Sequence, residues 1–152
     1  MTNHAGGISV IAFVIAVGVS IGYYQFMYIP AVNAKPILKE EILNPPNTAQ
    51  VTIVPGASLE ATGRSFEPKA LRTTIEIDNR VQWTNNDGTS HTVTSDTYVD
   101  KINGKFDTMD TIGLIPPGGT FEFTFTAVGT YEYYCVPHPH MSGEVEVIEN
   151  FA

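Results

Sequence analysis

Hydrophobic residues follow two different patterns in this chain, one near the amino terminus and one over the rest. No charged side chain occurs from residue 8 to residue 29, and a helix over this run would be about 33 Å long, close to the ~30 Å hydrocarbon core of a bilayer. Tyr23, Tyr24 and Tyr28 stand near the end of the run, where aromatic side chains favour the headgroup region. The pattern predicts an N-terminal transmembrane anchor over residues 1–29.

The main alternative for this segment is a secretory signal that is removed. Val32, Asn33 and Ala34 place small residues at suitable offsets for cleavage before Lys35. The apolar run is longer than a usual signal core, however, and the leader before it carries no lysine or arginine. A buried core helix is disfavoured because the run has no polar face. Both the anchor and the signal interpretations place everything after residue 34 outside the cytoplasm.

Residues 30–49 form a predicted linker. Four prolines and several charged residues occur in this stretch, and such proline density favours an extended, semi-rigid spacer. A short helix near residues 37–43 is compatible with the sequence, although its length makes it marginal alone. The linker would hold a domain formed by residues 50–152 away from the bilayer.

From about residue 50 onward, hydrophobic and polar residues alternate with the period of a β-strand. The predicted strands cover residues 51–54, 73–77, 80–83, 91–94, 120–126, 131–135 and 144–148. Turn sequences separate them, including Asn-Asn-Asp-Gly at residues 85–88 and Pro-Pro-Gly-Gly at residues 116–119. Residues 96–113 are predicted to be a loop with some local order. Short strands at this spacing indicate a β-sandwich or barrel of about 100 residues.

Composition and charge narrow the functional classes. The chain has 8 Lys+Arg against 16 Asp+Glu; this acidic balance repels phosphate and argues against a nucleic-acid partner, and it would steer a basic protein partner. The single cysteine, Cys135, excludes an intramolecular disulfide scaffold. The chain contains 7 Tyr and 8 Phe, which is enough aromatic surface to build a core and disfavours disorder.

Candidate metal ligands are concentrated between the last two predicted strands. Cys135, His138, His140 and Met141 lie within a seven-residue segment. Thiolate and imidazole ligands select copper or zinc rather than magnesium or calcium, and two histidines, one cysteine and a weak axial methionine form the blue-copper electron-transfer site. A further ligand must come from elsewhere, and His91 is the only other histidine of the predicted domain.

Residues 129–147 resemble the ligand loop of the cupredoxins, the type 1 blue copper proteins. The Cys-x2-His-x2-Met spacing is the short form found in amicyanins, whereas plastocyanins have a longer gap before the methionine. The chain is also similar to membrane-anchored cupredoxins of ammonia-oxidising archaea, which share the N-terminal anchor and a Pro-His-Pro segment. The resemblance covers about residues 50–150. It implies an all-β, cupredoxin-type Greek-key β-sandwich, preceded here by one N-terminal transmembrane helix, with one type 1 copper per chain.

Carried over residue by residue, the resemblance implies the copper ligands His91, Cys135, His138 and Met141. It also implies a membrane-tethered carrier that shuttles single electrons between extracytoplasmic redox protein partners, such as a cytochrome or another copper protein.

The sequence departs from the family at two positions. Thr92 stands where the family has asparagine; it keeps a backbone N–H for the sulfur but is not expected to copy the side-chain brace of asparagine. His140 replaces an aromatic residue and is a competing candidate ligand.

Other functional classes stay open at this point. A small copper enzyme acting on nitric oxide or nitrite would need an open axial position, which follows if Met141 points away, with His140 handling protons. A copper-delivery module would instead hold exposed, exchangeable copper. A binuclear copper site is disfavoured because the loop has one cysteine, structural zinc lacks a fourth strong ligand, and no nucleophile elbow suggests a hydrolase.

Overall fold

The computed structural model describes residues 4–33, 38–100 and 104–151, and it divides the chain into two compact units, Met1–Pro36 and Ile37–Ala152. The first unit is helical and consists of α1 (His4–Tyr23), a π-helical turn (Tyr24–Tyr28) and α2 (Ile29–Asn33). The segment Val10–Asn33 is long and apolar enough to cross a membrane, judged by length and composition, and none of its tested window is buried. A helix whose surface is apolar on all sides is typical of a segment that faces lipid.

The second unit is a β-sandwich of two sheets. Its strands are β1 (Thr48–Ile53), β2 (Phe66–Glu67), β3 (Ala70–Thr74), β4 (Arg80–Asn85), β5 (Thr94–Asp100), β6 (Gly104–Asp107), β7 (Thr120–Thr124), β8 (Gly129–Tyr134) and β9 (Ser142–Ile148). One sheet has the order β2-β1-β4-β7 and the other β3-β9-β8-β5-β6. The β1–β4 and β3–β9 pairs are parallel, and the other pairs are antiparallel. The prediction of an all-β sandwich is confirmed.

Alternating side chains of the two sheets meet in an aromatic core. Every second residue of β4 and of β9 is buried, as expected for strands with one face inward. Trp83 is fully buried, and its ring lies 5.8 Å from Phe106, 5.6 Å from Phe121 and 5.6 Å from Tyr133, measured between centroids. Tyr133 lies next to the end of β8, so this packing anchors the strand that leads into the β8–β9 connection.

The region between residues 91 and 113 differs from the prediction. His91 forms only an isolated bridge with Ile115, and the strand predicted at residues 91–94 begins instead at Thr94. Most of β5 and all of β6 lie within residues 96–113, which the sequence predicted to be a loop. The pairing of β5 with β6 contains register shifts, and such irregularities break the period-two pattern that identifies a strand.

The strand predicted at residues 73–77 is observed as β3, which begins and ends three residues earlier in the sequence. The chain turns after Thr74, whose amide donates to Asp78 Oδ1 at 2.6 Å, while the amide of Glu76 donates to Asn79 Oδ1 at 2.9 Å. Glu76 has a φ of 69°, a conformation incompatible with a continuing strand. Side-chain capping by the Asp78-Asn79 pair therefore ends the strand.

The region predicted as a linker contains ordered elements at both ends. The first unit extends as helix to Asn33, four residues beyond the predicted end of the anchor, and β1 begins at Thr48. The predicted short helix is confirmed as α3 (Glu40–Leu43). The carboxamide of Asn79 donates to the carbonyl of Ile42 at 2.8 Å, so α3 is joined to the sandwich.

Candidate metal centre

Three of the predicted ligands lie on the loop that joins β8 to β9. β8 ends at Tyr134, which leaves residues 135–141 as the connection. The amide of Cys135 donates to the carbonyl of Met141 at 3.1 Å, the amide of His138 to the carbonyl of Cys135 at 3.2 Å, and the amide of Met141 to the carbonyl of His138 at 2.9 Å. The loop is closed on itself, so its side chains project from a defined backbone.

His91 lies on a separate segment between β4 and β5. Its backbone N–H donates to the carbonyl of Ile115 at 3.1 Å, and its carbonyl accepts from the amide of Ile115 at 2.8 Å. The carboxamide of Asn85 donates to the carbonyls of Thr89 and Ile115 at 2.8 and 2.9 Å. These bonds fix the backbone of a histidine whose ring is fully buried.

The fold brings the side chains of His91, Cys135 and His138 together. The sulfur of Cys135 lies 3.5 Å from Nδ1 of His91 and 3.5 Å from Nδ1 of His138. The three candidate ligand atoms all lie within 4.8 Å of one another. Cys135 and His91 are fully buried, whereas His138 is partly exposed. One thiol and two imidazoles therefore converge below the surface. Of the three side chains, only that of His138 is exposed to solvent in part.

Met141 has a fully buried side chain, which belongs to the hydrophobic core. Its backbone bonds to Cys135 and His138 join it to the two candidate ligands of the loop. A thioether is a weak, polarisable donor that packs in a core like an aliphatic side chain. The backbone of the loop therefore holds Met141 next to Cys135 and His138, with its side chain in the core.

Thr92 braces the loop, contrary to expectation. Its backbone N–H donates to the sulfur of Cys135 at 3.3 Å, as expected. The prediction that its side chain could not replace asparagine is wrong, because the hydroxyl oxygen of Thr92 accepts from the amide of Val136 at 2.8 Å. Thr92 is fully buried, and the length of this bond shows that its shorter side chain reaches the loop.

His140 lies outside the cluster of three converging side chains. Its Nε2 lies 2.9 Å from the carbonyl oxygen of Ala57, and its ring centroid is 6.2 Å from that of His138. A carbonyl oxygen only accepts, so Nε2 of His140 carries the proton and donates. The structure thus gives His140 a partner in another loop and does not bring it into the ligand cluster.

Comparison with known proteins identifies the family. Residues 55–148 match the family of copper binding proteins, plastocyanin/azurin family. This chain belongs to that family and is a cupredoxin. The cluster of two imidazoles and one thiolate is the ligand set that such proteins use for copper, and the converging side chains of His91, Cys135 and His138 fit one type 1 copper.

Individual relatives agree with this assignment. The cupredoxin is 31% identical to amicyanin-alpha of Methylorubrum extorquens over 96 residues, which are 61% of this chain and 74% of the relative. It is 30% identical to amicyanin of Paracoccus denitrificans over 73 residues, which are 48% of this chain and 52% of the relative. Among solved structures, it is similar to a novel purple cupredoxin from Nitrosopumilus maritimus, with a TM-score of 0.53, 28% identity, and coverage of 66% of this chain and 99% of that one.

Sequence reasoning missed the residue behind His91 in this cupredoxin. Oδ2 of Asp87 lies 2.9 Å from Nε2 of His91. The carboxylate also accepts from the amide of Gly56 at 2.7 Å, the amide of Ser58 at 3.1 Å and the hydroxyl of Thr89 at 3.0 Å. A carboxylate only accepts, so Nε2 of His91 carries a proton and donates to Asp87, which leaves Nδ1 as the ring nitrogen that faces Cys135. The sequence identifies Asp87 only as part of a turn, and the available signal is its position four residues before a candidate ligand.

Hydrogen bonds shift the ionisation of the buried groups. Burial opposes ionisation of Asp87, but bonds from the amide of Gly56, from His91 and from other amides hold the pKa of Asp87 well below its usual range. Burial likewise opposes ionisation of Cys135, yet its contacts with His91 and Thr92 leave the pKa of the Cys135 thiol lowered. For the partly exposed His138, burial lowers the pKa, and the positive charge of His91 lowers it further. These shifts favour a thiolate at Cys135 and a neutral imidazole at His138, the forms that bind metals. For His91, burial lowers the pKa, but its contacts with Cys135 and Asp87 outweigh burial and leave the pKa raised.

Proposed function

We propose that this cupredoxin is a membrane-tethered carrier of single electrons, with copper held by His91, Cys135, His138 and Met141. The observation that carries the proposal is the convergence of one thiolate and two Nδ1 atoms within 4.8 Å, with three of the four residues fully buried and His138 partly exposed. The bound metal supplies the one-electron change between Cu(I) and Cu(II). The chain belongs to an electron-transfer family, which supports the same role here.

The protein's own contribution is rigidity. Cys135, His138 and Met141 are bonded to one another through the backbone, and His91 is bonded to Ile115. Because both segments are held before any metal binds, the donors need to move little when the charge of the site changes. A small structural change keeps the energy of reorganisation low, which favours fast electron exchange over ligand chemistry.

Electrons would enter and leave through His138. Its ring is partly exposed, and its neighbours Val136, Pro137 and Pro139 are exposed apolar residues. An apolar rim can approach a partner closely with little desolvation cost, since no charge has to be stripped of water. The surplus of acidic over basic residues, 16 against 8, supports a redox protein partner with a basic surface, such as a cytochrome or another copper protein.

The apolar segment Val10–Asn33 supports tethering. Membership of the copper-binding family supports the extracytoplasmic side for the sandwich. In this arrangement residues 1–29 form the anchor and the following stretch, up to residue 49, connects it to the copper domain. A tether confines the carrier to the membrane surface, where membrane-bound redox partners are found at high local concentration.

The test uses the full-length chain in detergent, loaded with Cu(II), with visible absorption and EPR spectra recorded before and after adding nitric oxide. We expect an intense thiolate-to-copper band that one equivalent of reductant removes and nitric oxide leaves unchanged. Absence of an intense band would overturn the proposal. A band bleached by nitric oxide, with nitrite appearing, would instead support the copper-enzyme alternative, which no contact among the described residues favours.

Replacing Met141 by leucine tests the fourth ligand. Leucine keeps the buried volume but offers no donor, so the thiolate band should persist while the reduction potential rises by several tens of millivolts. The rise is expected because the oxidised ion, with its higher charge, gains more from an additional donor. Spectroelectrochemistry of the full-length protein measures the shift. Met109→Leu is the matched control, because Met109 is exposed at 55%; equal potentials in the two variants would remove Met141 from the ligand set.

Charges in the helix test the tether. Val19→Lys combined with Ile21→Lys places two ammonium groups near the middle of Val10–Asn33, each costing about 2.5–3.5 kcal/mol in a bilayer centre. The wild-type chain should stay in the membrane pellet after alkaline carbonate extraction, and the variant should move to the supernatant. Thr97→Lys with Thr130→Lys adds the same charge to exposed positions of the sandwich and should leave the protein in the pellet. A wild-type protein in the supernatant, lacking the mass of residues 1–34, would show a cleaved signal instead.

A further inference from the structure

One turn of the sandwich contacts both segments that carry the proposed ligands. This turn, residues 55–59, follows β1 and is called the bridging turn below. It is closed by bonds from the amide of Ala57 to the carbonyl of Val54 at 3.1 Å and from the amide of Leu59 to the carbonyl of Gly56 at 3.2 Å. Ala57, in its middle, is fully buried. The bridging turn is therefore part of the packed structure and can transmit a constraint.

On one side, the bridging turn holds the partner of His91. The amide of Gly56 donates to Oδ1 of Asp87 at 2.7 Å, and the amide of Ser58 donates to Oδ2 at 3.1 Å. Oδ2 also accepts from Nε2 of His91 at 2.9 Å. Gly56 has a φ of 82°, a conformation that other residues rarely adopt. The turn thus donates one hydrogen bond to each oxygen of the carboxylate that orients the His91 ring.

On the other side, the bridging turn holds the ligand loop. The carbonyl of Ala57 accepts from Nε2 of His140 at 2.9 Å. His140 lies between His138 and Met141 in the sequence, so this bond ties the second half of the loop to the turn. The amides and the carbonyl of one short turn therefore point to two different segments of the same site.

We propose that Asp87 and His140 form a pair of positioning residues, which clamp His91 and loop 135–141 onto the bridging turn and so hold the site assembled before copper binds. The proposal rests on the proposed ligand set. It assigns a role to the histidine that replaces the family's aromatic residue: His140 donates to the scaffold and is not a ligand. An assembled site pays less ordering entropy when it binds a metal, so loss of the clamp should weaken binding.

His140→Phe removes the donor and keeps a ring of similar size, whereas His140→Gln keeps an N–H donor and serves as the conservative variant. Asp87→Asn keeps the size of the side chain but replaces an acceptor by a donor, so either the bond to His91 or a bond to the turn is lost. Tyr131→Phe is the matched control, because Tyr131 Oη donates to the carbonyl of Ala127 at 3.0 Å. That bond also joins a ring to a backbone carbonyl, at the other end of β8.

The first measurement is Cu(I) affinity of the full-length chain in detergent, by competition with a chromophoric chelator. We expect His140→Phe and Asp87→Asn each to weaken binding about 10- to 100-fold, the range for residues that orient metal ligands. His140→Gln should recover most of the loss, and Tyr131→Phe should bind like the wild type. The double variant should lose less than the product of the two single losses, because both changes open the same clamp.

The second measurement is made without metal, on the full-length chain with 15N-labelled histidine. His140→Phe should shift and broaden the ring nitrogen resonances of His91, because the bridging turn and Asp87 connect the two side chains. Unchanged His91 resonances together with wild-type Cu(I) affinity in His140→Phe would overturn the clamp. This result is distinct from failure of the proposed function, which would appear as a wild-type chain that shows no thiolate-to-copper band. If Asp87→Asn does not fold, the His140→Phe variant still tests the clamp, because His140 is partly exposed and its replacement disturbs the core less.

Discussion

Replacing Cys135 by serine should abolish the intense visible band and all one-electron exchange of the copper-loaded protein. The sulfur lies 3.5 Å from Nδ1 of both His91 and His138, so it is the shared neighbour of the two imidazoles. Serine nearly preserves the volume but cannot supply a thiolate at neutral pH, and the band requires a thiolate bound to copper. The spectrum and the reduction wave of the full-length variant, measured against the wild type, test this expectation.

The control for this variant tests whether the protein keeps its fold without the Cys135 sulfur. Trp83 is the only tryptophan of the chain and is fully buried, so its fluorescence reports whether the core remains packed. We expect an unchanged emission maximum in Cys135→Ser, with copper binding weakened and colourless. The same intense band in the variant would mean that the thiolate assignment is wrong, and with it the proposed ligand set.

Replacing Gly143 by alanine should destabilise the sandwich by about 3 kcal/mol, the upper end of the range for overpacking a core. A Cβ on Gly143 would lie close to the ring of Tyr133, 2.5 Å from its hydroxyl oxygen. The Tyr133 ring cannot move aside easily, because its centroid lies 4.8 Å from Phe66, 5.6 Å from Trp83 and 5.9 Å from Phe106. Tyr133 and Gly143 are direct cross-strand partners in β8 and β9, so the strain falls on the hairpin that carries the ligand loop.

Urea denaturation followed by tryptophan fluorescence measures the effect. Gly88→Ala is the matched control: an added Cβ at Gly88 meets nothing within 4 Å, and its free energy of unfolding should stay within about 0.5 kcal/mol of the wild type. In a Tyr133→Leu background the Gly143→Ala change should cost much less, since the ring that it meets is gone. An equal cost in both backgrounds would show that the contact with Tyr133 is not the cause.

The strands with a strict period of two were predictable, and those without it were not. β4 and β9 bury every second residue, and their sequences alternate accordingly. β5 was missed because Thr94 and Ser95 are both buried while the next three residues are all exposed, and its pairing with β6 shifts in register. Local sequence cannot reveal a strand whose burial is set by an irregular neighbour.

The residues of the candidate site also separate into those that the sequence predicts and those that it does not. Cys135, His138 and Met141 were predictable as candidate ligands because they are close in sequence and share a ligand chemistry. Asp87 was not, since an Asn-Asp-Gly sequence is typical of a turn and gives no indication of what the carboxylate will face. The side-chain brace by Thr92 was predicted wrongly, because whether its hydroxyl reaches Val136 depends on how near loop 135–141 lies to the residue after His91.

The sequence by itself determined the apolar N-terminal segment, the β-rich domain and the metal-binding chemistry of the loop, since each depends on composition, periodicity or spacing within one segment. Only the tertiary structure decided that His91 meets Cys135, that Asp87 orients His91, and that His140 bonds to Ala57. These contacts join residues 44, 4 and 83 positions apart. Even the shortest of them depends on a chain reversal held by Asn85 and Ile115, and the longer ones depend on how two sheets are stacked. A hydrogen bond is directional and short, so its partner is set by the packed position of both groups and not by the identity of either one.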